Sequence, residues 1–191
     1  MAYKLEGNWK DGIAYDLHTL SSIYLGQDEF GRDRYNTTRS EMGELVYQLK
    51  YKHNESVVEK IVDLLLNING FNKMNCIVAV PPSNLQRTHQ PVFSIATALA
   101  AKLNISVYLD CLTKNSNQEL KDVTDPIQRY DLLKQSIQIH KKYNLSNQNI
   151  LLIDDLYRSG STLQVVTELL YNTYNINNIY VLTMTKTRSN R

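Results

Sequence analysis

Residues 150–163 read ILLIDDLYRSGSTL, an order of residue types that can do chemistry together. Four apolar residues, Ile150 to Ile153, make a buried strand that brings two adjacent carboxylates, Asp154 and Asp155, to the carboxyl edge of a sheet. A turn of small residues follows, Ser159, Gly160, Ser161 and Thr162, and a helix starts there. The first amides of a helix have no internal partners, and its dipole favours anions. Gly160 lets the backbone approach a ligand closely. The three hydroxyls add donors and Arg158 adds charge, so the turn reads as a phosphate cradle. Two carboxylates beside such a cradle call for a ligand with both phosphate and vicinal hydroxyls, and a ribose phosphate fits. The plainer alternative is that Asp155 or Ser159 caps the helix while Asp154 is solvated. The full order of strand, Asp-Asp, turn and Gly-Ser-Thr is richer than capping requires.

The elements that would position these groups follow from periodicity. The first forty residues read as irregular, with a strand-like pattern over Ile13 to Leu20 and loops or a hairpin around Gly26, Gly31 and Asp28 to Thr38. Glu41 to Leu66 has a helical period that ends near Gly70. Cys76 to Val80 is a short buried strand stopped by Pro81-Pro82. Val92 to Leu103 is helical, Ile105 to Leu109 a second strand, and Thr113 to Pro126 a polar, exposed connection. Gln128 to Ile139 holds a short helix. Ile150 to Ile153 is the third strand, Ser161 to Tyr174 a helix, and Ile179 to Met184 the fourth strand. Strands alternating with helices predict an α/β fold with a mainly parallel sheet and helices on both faces. Ligands of such sheets bind beyond the carboxyl ends of the strands. Residues 1–40 are expected to form a small N-terminal segment, hood or hairpin, and residues 41–191 the main domain.

Composition narrows the partners. The chain has 191 residues, 42% hydrophobic and 21% charged, which suits a globular domain with its own core and excludes wholesale disorder. No run approaches the roughly 18 apolar residues of a membrane span, and the N-terminus lacks the apolar stretch of a secretory signal. Cys76 and Cys111 are too few for a disulfide framework and show no paired zinc spacing. The chain therefore reads as soluble and cytoplasmic. Its 21 basic and 19 acidic residues leave a net charge of +2, which does not demand nucleic acid. Lys186, Arg188 and Arg191 read as a frayed basic tail. The 13 tyrosines could stack bases, or simply reflect an AT-rich coding sequence. There is no Gly-x-x-x-x-Gly-Lys-Ser/Thr element and no Gly-x-Ser-x-Gly elbow, so Asp16-Leu17-His18 has no nucleophile to serve and His18 reads as structural.

The strand, acidic pair and Ser159-Gly160-Ser161-Thr162 turn resemble the signature of type I phosphoribosyltransferases, with Ser in place of the commoner first Thr. Further segments look like ComF-like members of that group, a family linked with DNA uptake and competence. These are GELVYQLKY over Gly43 to Tyr51, Val80-Pro81 followed by Arg87, Ile95-Ala96-x-x-Leu99-Ala100-x-x-Leu103, and Gln118, Leu120 and Arg129. The resemblance covers about residues 41–185. The chain differs in having no cysteine-rich zinc module, in reading Arg87-Thr-His-Gln-Pro91 where Arg-Gly-Phe-Asn-Gln is usual, and in carrying Leu132 where an Asn is expected.

The resemblance implies a type I phosphoribosyltransferase-like fold and a set of roles. Asp154 and Asp155 would contact the ribose hydroxyls of phosphoribosyl pyrophosphate (PRPP), and Arg158 to Thr162 would hold its 5′-phosphate. The loop after the first core strand would hold pyrophosphate through Ser83, Asn84 and Leu85, since prolines lack the amide; a rigid strand terminator is the alternative. Arg87 would neutralise pyrophosphate, or be a solvated loop arginine. His89 reads as surface, and Lys50 and Lys52 either border the site or close a charged helix end. Lys114, Lys121 and Arg129 belong to a mobile lid or a solvated loop. Mg²⁺ would be held mainly through PRPP. Two functions follow: transfer of the phosphoribosyl group to a nitrogen nucleophile, an unknown base or amine, with release of pyrophosphate; or a non-catalytic module acting in DNA uptake or processing through single-stranded DNA or competence proteins.

Overall fold

The computed structural model describes residues 2–84, 87–115, 123 and 125–188. Its centre is built from the short apolar runs. β1 (Tyr3–Lys4), β2 (Asp11–Leu17), β5 (Cys76–Ala79), β6 (Ser106–Tyr108), β9 (Asn149–Tyr157) and β10 (Asn178–Lys186) form one sheet in the order β1-β2-β10-β9-β5-β6. All neighbours run parallel except β1, which is antiparallel to β2. β5 is buried along its whole length, and such strands read as unbroken apolar sequence because helices cover both sides.

Strand alternation divides the core in two. Cys76, Val78, Ile150, Leu152, Ile179 and Val181 pack with Leu133 of α4 (Pro126–Ser136) and Leu163, Val166 and Leu170 of α5 (Ser161–Thr173). Their neighbours Ile77, Ala79, Leu151, Ile153, Leu182 and Met184 pack on the other face. There they meet α1 (Glu41–Tyr51), α2 (Val58–Leu65) and α3 (Pro91–Leu103). The expected mainly parallel sheet with helices on both faces is therefore present. Among the described residues no helix is long and apolar enough to cross a membrane. Cys76 and Cys111 are free and buried, and burial pushes their thiols up to about 12 and about 11.

This topology creates the cleft. β5 leads into α3 on one face, while its neighbour β9 leads into α5 on the opposite face. The two connections diverge and leave a crevice beyond the carboxyl ends of β5 and β9. β5 stops at Ala79, paired with Ile153, and the last bond to β9 is Val80 N to Ile153 O at 3.0 Å. β9 continues to Tyr157 alongside β10, so Asp154 and Asp155 are still strand residues where β5 has ended.

Several elements differ from the expectation. The first forty residues are more regular than expected, and the strand-like pattern over Ile13 to Leu20 begins in a strand, β2, that joins the main sheet. β2 pairs with β10 from Asp11–Tyr180 to Leu17–Lys186. Around Gly26 and Gly31 the hairpin alternative holds: β3 (Thr19–Gln27) and β4 (Asp33–Arg39) form a separate antiparallel pair. The single helical stretch over Glu41 to Leu66 is two helices, because His53 takes a left-handed φ of 53° and Asn54 starts a new turn. The polar connection from Thr113 begins as β7 (Leu112–Lys114), paired with β8 (Ile137–Ile139). Lys114 is buried there. Gln118, Leu120 and Lys121, like Leu85 and Arg191, lie outside the described residues.

One contact fixes the angle of α1. Ser40 Oγ donates to Leu17 O at 2.5 Å and accepts from Gly43 N at 3.0 Å, capping the helix. A Cβ on Gly43 would stand 2.2 Å from the His18 carbonyl oxygen, so only glycine lets α1 lie this close to the chain leaving β2.

Candidate active site

A cleft of about 280 Å³ opens at the divergence point between β5 and β9. Asp154 and Asp155 lie on its floor. Alternation along β9 puts Asp155 on the α1 side, where Lys50 in the last turn of α1 reaches it: Nζ to Oδ2 is 2.5 Å, with the side chains 17% and 13% exposed. Burial alone would pull the Lys50 ammonium down. The charge and hydrogen bond of Asp155, with Asp154 behind it, more than offset that and hold Lys50 above its ordinary value. The stability this pairing contributes is present below the usual lysine range and is lost only as pH rises through the raised value.

Asp154 faces different conditions. Burial pushes its carboxyl up, the Asp155 charge pushes the same way, and the Asp155 amide at 2.8 Å and Lys50 offset only part of this. The group sits at about 7. Folded Asp154 thus holds a proton between about pH 4 and 7 that the unfolded chain has released, so its ionisation on the way up through pH 7 costs stability. Three pKa units would carry about 4 kcal/mol, and screening at the cleft brings this nearer 2 kcal/mol. Asp154→Asn keeps the acceptor for the Asp155 amide. It is expected to stabilise the protein by about that amount near pH 8 and by nothing near pH 4. Urea unfolding at the two values checks this; an equal effect at both would make the change one of packing rather than ionisation.

Gly160 starts α5 with φ 78°, and no side chain caps the helix. Ser159 Oγ lies 2.9 Å from Ser161 Oγ and only 3.5 Å from Ser161 N. The first turn therefore keeps donors for an anion, a direct consequence of using a left-handed glycine instead of a Ser or Asp cap. Arg158 and Thr162, on either side of this turn, line the cleft.

The opposite wall is the segment after β5. Pro81, Pro82, Ser83, Asn84 and Arg87 line it. Gln90 Nε2 donates to Asn84 O at 2.9 Å and to Arg87 O at 3.2 Å, tying the two ends of this segment together. Pro91, immediately after, starts α3 with its φ already set. Arg87 stands over the Tyr51 ring at 5.8 Å, and Tyr51 lies 5.2 Å from Tyr47. The described lining residues include the cations Lys50, Arg87, Lys114, Arg129 and Arg158 together with Asp154 and Asp155. Among the described lining residues cationic side chains therefore outnumber carboxylates, which suits a ligand with several anionic groups.

No protein-family model matches the chain, and no curated protein does. Solved structures do. An adenine phosphoribosyltransferase from Thermoanaerobacter pseudethanolicus is 15% identical with a TM-score of 0.49, over 86% of this chain and 95% of that one. A hypoxanthine phosphoribosyltransferase from Staphylococcus aureus is 19% identical with a TM-score of 0.44, over 72% and 67%. The adenine phosphoribosyltransferase from Saccharomyces cerevisiae is 14% identical with a TM-score of 0.47, over 86% and 85%. Similarity at this level assigns no activity to the chain.

The structure brings the acidic pair, Arg158, Thr162, Ser83, Asn84 and Arg87 to one cleft, with Ser159, Gly160 and Ser161 forming the turn between two of them. Lys50, Lys114 and Arg129, which also read as solvated charges, are at the same cleft. Lys52 instead follows the end of α1, and His89 faces Glu55 at 3.8 Å, both exposed. His18 Nδ1 lies 3.1 Å from Thr185 Oγ1; burial, and then Arg39, lower it from its ordinary value. Sequence reasoning missed Gln90 and Tyr51 as parts of the site. A polar residue directly before a helix-starting proline was the available signal for Gln90.

Proposed function

We propose that the chain binds PRPP with Mg²⁺ in this cleft and transfers the phosphoribosyl group to a nitrogen nucleophile, releasing pyrophosphate. One observation carries this reading: an acidic pair on β9 stands beside an uncapped, glycine-started helix, in a cleft whose described lining holds more cations than carboxylates. The α5 amides with Ser159, Ser161 and Thr162 hold the 5′-phosphate. Asp154 and Asp155 accept from the ribose hydroxyls. Ser83, Asn84 and Arg87 take the pyrophosphate, with Gln90 holding their segment in place. In the reaction the C1–N bond forms and the C1–O bond breaks, the bonding pair leaves on pyrophosphate, and the proton displaced from the nitrogen passes to solvent. Cations already fixed around the cleft stabilise that developing charge without reorganising.

The donor set fits a magnesium ion that arrives on its ligand. Among the described residues no group of three or more His, Cys, Asp and Glu converges, and one of the two cleft carboxylates is already paired with Lys50. Asp154 and Asp155 are the carboxylates that would face the ion, and diphosphate oxygens and water would supply most of its ligands. When bound, it neutralises diphosphate charge. Within the class, the ComF-like reading rests on the Gly43 to Tyr51 segment, which supplies Lys50, and on Arg87.

Calorimetric titration with PRPP and Mg²⁺ tests the proposal. Wild type is expected to bind, and Asp154→Asn to bind at least about tenfold more weakly, because a buried hydroxyl then loses a charged acceptor. No binding by wild type, or equal binding by the variant, overturns the assignment.

A further inference from the structure

The ion pair on the cleft floor has hydrogen-bonding capacity to spare. A lysine ammonium carries three donors and a carboxylate two acceptor oxygens. Lys50 Nζ gives one donor to Asp155 Oδ2, and among the described residues no other hydrogen bond reaches Nζ or Asp155 Oδ1. Both side chains line the cleft and keep some exposure there. A tie that only held α1 to β9 would not need charge, since replacing a largely buried ion pair by apolar residues of similar volume is often neutral or stabilising. Here the pair stands against the cleft with two donors and one acceptor oxygen unused.

Lys50 is also well placed relative to the opposite wall. Ser40 and Gly43 set the angle of α1, and Lys50 lies in its last turn, where the helix dipole favours a cation. The next residue, Tyr51, has the Arg87 guanidinium 5.8 Å from its ring centroid. Arg87 belongs to the segment after β5, so the end of α1 adjoins that wall of the cleft.

We propose that Lys50 is a catalytic residue that bridges the two halves of PRPP: Asp155 Oδ1 accepts from a ribose hydroxyl while the remaining Lys50 donors take the diphosphate on C1. This rests on the PRPP reading of the cleft. The connection follows from the ligand's own bonding. C1, which bears the diphosphate, is bonded to C2, which bears one of the vicinal hydroxyls. A cation bonded to the carboxylate that holds those hydroxyls is therefore beside the bond that breaks. As the C1–O bond opens, its electron pair goes to the diphosphate oxygen, and the Lys50 ammonium, fixed in advance by Asp155, meets that charge without reorganising. Lys50 keeps its proton throughout.

Loss of Lys50 alone would leave Asp155 without a cation, so the test carries Asp155→Asn in both arms. Asp155→Asn and the double variant Lys50→Met with Asp155→Asn are titrated calorimetrically with Mg²⁺ and inorganic pyrophosphate, and separately with ribose 5-phosphate. Removing Lys50 is expected to weaken pyrophosphate at least about tenfold, because hydrogen bonds from a charged donor are lost, and to leave ribose 5-phosphate within about twofold. Ribose 5-phosphate binding also shows that both variants are folded. Equal pyrophosphate affinity in the two variants, or an equal fall for both ligands, overturns the role of Lys50 while PRPP binding by wild type leaves the cleft assignment standing. A wild type that binds neither PRPP nor pyrophosphate overturns the cleft assignment itself, and the role of Lys50 with it.

Discussion

Replacing Lys50 with methionine is expected to destabilise the protein by about 3 kcal/mol near neutral pH, because it leaves Asp155 in a poorly solvated site with no cation. The loss should depend on pH. Without Lys50 the acidic pair holds a proton more tightly in the folded state than in the unfolded chain. Stability then falls as pH rises from about 4 through the displaced carboxyl value. Asp154, already at about 7, is the group that moves further up. The deficit should shrink towards pH 4. The double variant Lys50→Met with Asp155→Asn should recover most of it, since removing both partners leaves no orphaned charge. Urea unfolding at several pH values is the measurement. A loss that is the same at pH 4.5 and 7.5, and that the double variant does not repair, would mean that Lys50 contributes its aliphatic stem and not its charge.

Gly160→Ala is the second large effect. An L-residue at φ 78° costs about 1–2 kcal/mol. The new Cβ would also meet the Tyr157 ring at 2.7, 2.8 and 2.9 Å from Oη, Cε2 and Cζ. Tyr157 is 6% exposed and has little room to withdraw. The turn must shift, moving the first amides of α5. If two of those amides no longer reach the phosphate, PRPP affinity should fall by about a hundredfold. Gly70→Ala separates the two contributions. Gly70 also has a positive φ, 105°, but nothing lies within 4 Å of its added Cβ. It should lose stability through backbone strain alone and bind PRPP as wild type does. Calorimetry on both variants decides, and equal PRPP affinity in Gly160→Ala would remove the α5 turn from the binding site.

What could be read from the sequence was what depends on neighbouring residues. β5, β9, β10, α3 and α5 follow from apolar runs and a period of three to four, and the acidic pair with its glycine turn is contiguous. What could not be read depends on pairing between distant segments. The strand-like pattern over Ile13 to Leu20 pointed to β2, but its place in the main sheet comes only from the register with β10. The break between α1 and α2 falls at Lys52-His53-Asn54, where no proline or glycine signals it. Lys50 reads as an ordinary charged residue at a helix end until Asp155, 105 positions away, is seen opposite it. Lys114 looks like part of a polar loop because its burial comes from pairing between β7 and β8.

The β2–β10 pairing also sets an order of events in the cell. Residues 11–17 are made long before their hydrogen-bonding neighbour, residues 178–186. At 5–20 residues per second the wait is on the order of 10–30 s. During that interval β2 has β1, the adjoining hairpin and α1 for company but no partner on its β10 side, and β5 is waiting for β9. Parallel pairing across most of the chain length is slow to form. Nascent-chain protection of this early segment, by a chaperone or by the ribosome surface, would therefore matter more here than the modest size of the protein implies.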